Sequence, residues 1–154
     1  MKKVIDVYPY CINADGLLRF LLLHRSSHKQ YARQWRMVGG KVKEHEAYWQ
    51  AGYRELTEEV GITPSLFWTV PSLNQFYEPE SDQIMHIPAF AAELAAEAEI
   101  QLNEEHTGYE WVSLDTAKKR ILWPEQLRLM NLISGIILER NILPDWIINT
   151  KSSL

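Results

Sequence analysis

Apolar positions along the chain change their period several times, and each change marks an element. Val4–Ile12 and Leu17–His24 are apolar-rich runs of strand length joined by Asn13-Ala14-Asp15-Gly16, a strong turn signal. Arg25–Gln34 loses the pattern and reads as a polar loop. Trp35–Val38 is a short strand running into Gly39-Gly40. From Glu46 to Val60 the spacing becomes helical, and Trp49, Tyr53, Leu56 and Val60 form an apolar stripe that faces the core. Gly61 follows at the position a left-handed helix cap prefers.

Further strands are predicted at Leu66–Val70, Leu73–Tyr77 and Ile84–Leu94, the last apolar nearly throughout and therefore central. Asn103–Thr107 reads as a polar loop before a strand over Tyr109–Val112. Ser113 or Asp115 can cap a short helix through Arg120, and Pro124 suits the first turn of a final helix to about Arg140. Trp146, Ile147 and Ile148 predict a tail that docks rather than hangs free. Strands and helices mix without a regular βαβ alternation, which predicts an α/β or α+β sandwich with a mixed sheet.

Bulk properties narrow the function classes. The 154 residues are expected to form a single domain over 1–154, with its core at about 3–140 and a tail at 141–154. A net charge of −4 argues against a nucleic acid polymer or an anionic membrane as the main partner. The single cysteine, Cys11, excludes an internal disulfide and a cysteine-based zinc site, and its apolar surroundings predict a buried thiol. Asp6, Pro9, Asn13 and Asp15 interrupt any signal-peptide core after the basic start, and no apolar run reaches membrane-spanning length. The expected compartment is the cytoplasm.

The predicted helix over Glu46–Val60 carries the chemistry. Glu55, Glu58 and Glu59 stand at i, i+3 and i+4, within an arc of about 100°. Like charges at that spacing repel by roughly 0.2–0.5 kcal/mol per pair, so a helix selected for stability alone would disperse them. A hard divalent cation turns the repulsion into coordination. Arg54, one turn before Glu58, can hold that carboxylate by a charged hydrogen bond. Ala47, Ala51 and Tyr48 flank the acidic face, and Glu46 is placed to orient the helix start or the loop before it.

The residues Gly40, then Glu46, then Arg54-Glu55-Leu56-Thr57-Glu58-Glu59-Val60-Gly61-Ile62 match the Nudix box at every defined position. On this motif the chain resembles the Nudix hydrolase superfamily, and its order of strands and helices is similar from about Lys3 to Arg140. The resemblance implies an α/β/α sandwich that hydrolyses a nucleoside diphosphate linked to another group, using one to three Mg²⁺ or Mn²⁺ ions. Carried over by position, Glu55, Glu58 and Glu59 are metal ligands, with the Gly40 carbonyl as an added one. Arg54 orients a carboxylate, Glu46 braces the loop, and Gly61 ends the helix. Metals clustered on a pyrophosphate neutralise its charge and acidify a bound water.

The general base is left between a box carboxylate, Glu58 or Glu59, and Glu105. The stretch Glu105-His106…Tyr109-Glu110-Trp111 resembles the Glu-His-x-x-Tyr-x-Trp segment of diadenosine tetraphosphate hydrolases and of dihydroneopterin triphosphate or dATP pyrophosphatases. In those families the glutamate before the histidine faces the metals. Arg25 and Lys41 are candidate contacts for substrate phosphates, and Lys29, Arg33 and Arg36 add positive charge nearby. Tyr31, Trp35, Phe76 and Tyr77 could stack a base. His28, His45, His86 and His106 show no metal-ligand spacing and read as loop or core histidines, His106 being the one expected nearest the site.

The first expectation is a (deoxy)nucleoside or pterin triphosphate that releases pyrophosphate, an oxidised triphosphate included. The alternatives are a dinucleoside polyphosphate hydrolase and a catalytically silent nucleotide-binding module. Homodimers are frequent in the superfamily, and the apolar tail offers one surface for such an interface.

Overall fold

The computed structural model describes residues 2–25 and 34–151. Its strands are β1 (Val4–Ile12), β2 (Leu18–Arg25), β3 (Trp35–Arg36), β4 (Val38–Lys41), β5 (Leu66–Glu78), β6 (Gln83–Glu93) and β7 (His106–Val112). The helices are α1 (Tyr48–Val60), α2 (Leu114–Arg120) and α3 (Pro124–Leu138). β1 pairs in parallel with β6 and antiparallel with β2 and β4, while β7 and β3 add to β2 and β5 closes the far side of β6. The sheet is therefore mixed, as the irregular alternation predicts.

Alternation along β1 builds two cores. Ile5 and Val7 point into the layer that holds Leu56 and Val60 of α1, whereas Tyr8 and Tyr10 point into the layer of Leu129, Met130 and Ile133 of α3. Helices on both faces complete the α/β/α sandwich. Among the described residues no helix is long and apolar enough to cross a membrane.

Local chemistry explains most element ends. Asn13 Oδ1 accepts from the backbone of Asp15 and Leu17, and Gly16 takes φ 76°, which closes the first hairpin. Ser113 caps α2 through the Thr116 N–H, and Pro124 opens α3. The tail docks, as its aromatic and β-branched residues predict. Trp146 stacks on Trp68 at 6.4 Å, and the Ile148 N–H donates to the Phe67 carbonyl at 2.9 Å.

Four boundaries differ from the sequence reading. The residues read as Leu66–Val70 and Leu73–Tyr77 are one strand, whose register shifts between Thr69 and Leu73 to accommodate Pro71. Trp35–Val38 is broken at Met37 into β3, on β2, and β4, on β1. Helix α1 starts at Tyr48, leaving Glu46 in the preceding loop. Strand β7 starts at His106 rather than Tyr109, because β2 continues to pair as far as Arg25.

A buried polar group marks the α3 face. Asp6 accepts from Asn74 Nδ2 at 2.8 Å and from the Tyr8 hydroxyl at 3.3 Å, with Gln126 hydrogen-bonded beside them. Burial holds the Asp6 carboxyl above its usual range, partly offset by Asn74, Gln126, Arg36 and Tyr8. The folded protein thus holds this proton more tightly than the unfolded chain, so this group's contribution to stability falls as pH rises above the usual carboxylate value. Asp6→Asn removes the charge, and once the Gln126 amide turns over, its N–H can donate to Gln126 Oε1, which has no partner among the described residues. Its Tm is expected to exceed the parent's by on the order of a few degrees at pH 8, with the gap closing toward pH 4. Thermal melts across that range check this, and a gap independent of pH refutes it.

Candidate active site

The loop between β4 and α1 is held by one guanidinium. Arg54 Nε and Nη2 donate to Glu46 Oε2 and Oε1 at 2.7 and 3.0 Å, Nη2 also to the Lys41 carbonyl at 3.0 Å, and Nη1 to Glu55 Oε1 at 2.8 Å. Glu58 is reached only at 3.4 Å. The main partner of Arg54 is therefore Glu46 rather than Glu58. Glu46 Oε1 also accepts from the Lys43 N–H at 2.9 Å, so its carboxylate links the loop backbone to the helix. The hydrogen bonds from Arg54 hold Glu46 below the usual carboxylate range and raise Arg54 further still.

The three box carboxylates sit at different depths. The Glu58 side chain is 52% exposed, Glu55 is largely covered, and Glu59 is buried. Ala51, read as a flank of the acidic face, is buried with Gly52 against the sheet, and Glu59 lies inward with Leu56 and Val60. A Cβ on Gly52 would meet Phe90 Cδ2 at 3.0 Å, so the small residues let the helix approach the sheet closely and carry Glu59 inward. Gly61 ends the helix at φ 74°, and a side chain there would meet Gln101 Cβ at 2.8 Å.

Glu105 and His106 approach Glu59 from outside the helix. Asn103 Oδ1 accepts from the Glu105 N–H at 3.1 Å and shapes the turn before β7. One ligand-type atom from each of Glu59, Glu105 and His106 lies within 4.8 Å of the others. Burial raises the Glu59 carboxyl well above its ordinary range, the Glu55 and Glu105 charges and a hydrogen bond with Glu55 push it further, and Arg25 offsets part. Burial first, and then the Arg25 and Arg36 charges, push the His106 imidazole down to about 4. Glu59 Oε2 and both His106 ring nitrogens have no hydrogen-bond partner among the described residues. An acid buried against other acids with one oxygen unpartnered fits a divalent cation, whose charge and vacant coordination positions answer both features.

Gly40 lies directly against the Glu55 side chain. A Cβ there would lie 2.6 Å from Glu55 Oε1 and 2.7 Å from Cγ, so any side chain displaces the carboxylate. Gly40→Ala is expected to lower turnover at least tenfold at limiting Mg²⁺, and a metal titration of activity checks it. Unchanged metal dependence would show that Glu55 has room to move.

The remaining candidates scatter. Arg25 ends β2 opposite His106 and its charge acts on Glu59. Lys41 ends β4, exposed, its carbonyl bound to Arg54. Trp35 contacts His24, 4.9 Å away between ring centroids, and the Arg120 guanidinium lies over its ring at 4.8 Å. Tyr77 lies near the tip of the β5–β6 hairpin, exposed, its hydroxyl donating to Asp82 at 2.8 Å, which ties it to the hairpin rather than to the acids. Phe76 is exposed on the same strand. His28, Lys29, Tyr31 and Arg33 lie outside the described residues. His106 is the residue that sequence reasoning placed near the site without giving it a part; its signal was adjacency to Glu105.

The chain is similar to known proteins in sequence and in fold. The family model of the NUDIX domain matches residues 5–133. The CTP pyrophosphohydrolase of Escherichia coli (strain K12) is 31% identical over 136 residues, which cover 87% of this chain and 94% of that protein. The asymmetrical bis(5'-nucleosyl)-tetraphosphatase of Caenorhabditis elegans is 28% identical over 124 residues, covering 79% and 87%. A crystal structure of a C. elegans Ap4A hydrolase binary complex superimposes with a TM-score of 0.74 at 24% identity, covering 90% of this chain and 99% of that one, a likeness of fold. With its match running through both core layers and its acidic helix complete, the protein belongs to the NUDIX family and is a pyrophosphohydrolase.

Proposed function

We propose that the protein hydrolyses a phosphoanhydride bond of a small nucleotide or pterin polyphosphate, first of all a (deoxy)nucleoside or pterin triphosphate that releases pyrophosphate. The observation that carries the metal-dependent reading is Glu59, buried against Glu55 and Glu105 with one oxygen left unpartnered. Glu55, Glu58, Glu59 and Glu105, with the Gly40 carbonyl, would hold Mg²⁺ or Mn²⁺. Bound there, the ions supply charge neutralisation for the polyphosphate and an acidified water.

The chain's own groups do the rest. Arg54 and Glu46 fix the loop and Glu55, so the acids keep their positions while the substrate binds. Arg25 stands beside the acids, where its N–H groups can donate to phosphate oxygens, and Lys41 adds charge at the loop. Glu105, on a turn rather than a helix, can reach a water and take its proton. Likeness to a CTP pyrophosphohydrolase supports a nucleoside triphosphate. Likeness to the bis(5'-nucleosyl)-tetraphosphatase supports a dinucleoside polyphosphate as the second reading.

A panel of triphosphates, dinucleoside polyphosphates and nucleotide sugars, assayed with Mg²⁺ and with product identification, tests the proposal. Pyrophosphate from a triphosphate is the expected product. Preferred cleavage of a dinucleoside tetraphosphate selects the second reading, and metal binding without hydrolysis of any member selects a silent binding module. Glu105→Gln is expected to lower kcat by about ten- to a hundredfold; unchanged kcat across a pH series assigns the proton transfer to another group.

A further inference from the structure

Outside the box helix, the residue with the least explained surroundings is His106. It opens β7, its side chain is 1% exposed, and its backbone is fixed by pairing with Arg25 of β2. Nε2 lies 3.8 Å from Glu59 Oε1, too far for a hydrogen bond, and neither ring nitrogen has a hydrogen-bond partner among the described residues. Buried imidazoles are otherwise paired. The second unpartnered group here is Glu59 Oε2, on the same neighbouring side chain.

We propose that His106 is a nitrogen ligand that joins Glu59 and Glu105 around a divalent ion, making this part of the site a mixed nitrogen–oxygen site rather than an all-oxygen one. The inference rests on the metal-dependent reading above and goes beyond it in ligand and in ion. Three separate pieces of backbone supply the donors: the last turn of α1, the turn before β7, and β7 itself. Their atoms lie within 4.8 Å of one another. An ion with bonds of about 2.1 Å separates adjacent ligands by about 3.0 Å and opposite ones by about 4.2 Å, so the set closes by a movement of about 2 Å at most. Glu105, on a turn and half-buried, can make that movement while the strand holds His106.

The choice of ion follows from the donor. Mg²⁺ prefers carboxylate and water oxygens, whereas imidazole suits first-row transition ions. His106 therefore biases the site toward Mn²⁺ over Mg²⁺, while the outer acids Glu55 and Glu58 remain suited to Mg²⁺.

The test uses the full chain, stripped of metal and loaded with less than one equivalent of Mn²⁺. Pulsed electron paramagnetic resonance then reads nitrogen coupling to the ion. The expected result is coupling from one imidazole, lost in His106→Gln together with at least a tenfold fall in Mn²⁺ affinity and little change for Mg²⁺. Bound Mn²⁺ with no nitrogen coupling, or coupling that survives in His106→Gln, overturns the proposal and leaves the metal-dependent function standing. Failure of the protein to bind Mn²⁺ at all overturns both. Should His106→Gln not fold, a variant with His24, His28, His45 and His86 replaced keeps His106 as the only one of the five histidines, and coupling must persist in it.

Discussion

Glu59→Gln is expected to lower kcat by about a hundred- to a thousandfold while leaving the metal-free protein as stable as the parent or more so. The two effects have one cause. Glu59 is buried with an oxygen that no described group satisfies, and Glu55 and Glu105 make its ionisation harder still. Without a cation the charged form is unfavourable in the fold, so the carboxyl titrates above its unfolded value. The sign follows directly: the folded state binds more protons than the unfolded one, and the metal-free protein loses stability as pH rises above the usual carboxylate value. Glutamine removes that loss, so any gain in Tm grows with pH.

A bound cation reverses the balance for the parent alone. Mg²⁺ that binds the folded state stabilises it by mass action, and that rise in Tm should shrink or vanish in Glu59→Gln. Melts with chelator and with saturating Mg²⁺, beside steady-state rates, make the measurement. Parent-like turnover at saturating Mg²⁺ would remove Glu59 from the metal site. A lower Tm in chelator would show that its carboxylate is structurally required.

Much of the site was legible because it is local. Glu55, Glu58 and Glu59 recur at helical spacing, and Gly61 caps the same helix, so a single periodicity places four residues. What the wheel misjudged was depth. Ala51 reads as a flank of the acidic side, yet its small size and that of Gly52 let α1 lie close on Val7, Phe67 and Phe90, which turns Glu59 inward. Depth depends on the partner surface, which one helix does not encode.

His106 was harder to read for a related reason. It lies 47 positions from Glu59, and they meet because β7 pairs antiparallel with β2 while α1 packs on the same sheet. Leu66–Val70 and Leu73–Tyr77 read as two strands in the sequence, but a register shift across Pro71 keeps β5 continuous. The docking of Trp146 and Ile148 was visible beforehand, since exposed apolar groups at a chain end need a surface to cover.

Arg54→Ala should cost both fold and chemistry, and in that it contrasts with Glu59→Gln. The guanidinium makes two bonds to Glu46, one to Glu55 and one to the Lys41 carbonyl, with its side chain only 20% exposed. Its loss leaves two largely covered carboxylates without their cation and unties the loop from the helix. Breaking such a group costs about 2–4 kcal/mol, and displacing Glu55 should reduce turnover by a hundredfold or more. Arg54→Lys separates charge from geometry. Lysine restores the positive charge but cannot fork onto Glu46 while also reaching Glu55 and the Lys41 carbonyl. It should recover less than half of the lost stability and little of the lost rate. Full rescue by lysine, measured by denaturant unfolding and by kcat at saturating Mg²⁺, would reduce Arg54 to a counter-charge; failure to rescue makes the planar fork the element that keeps Glu55 in place.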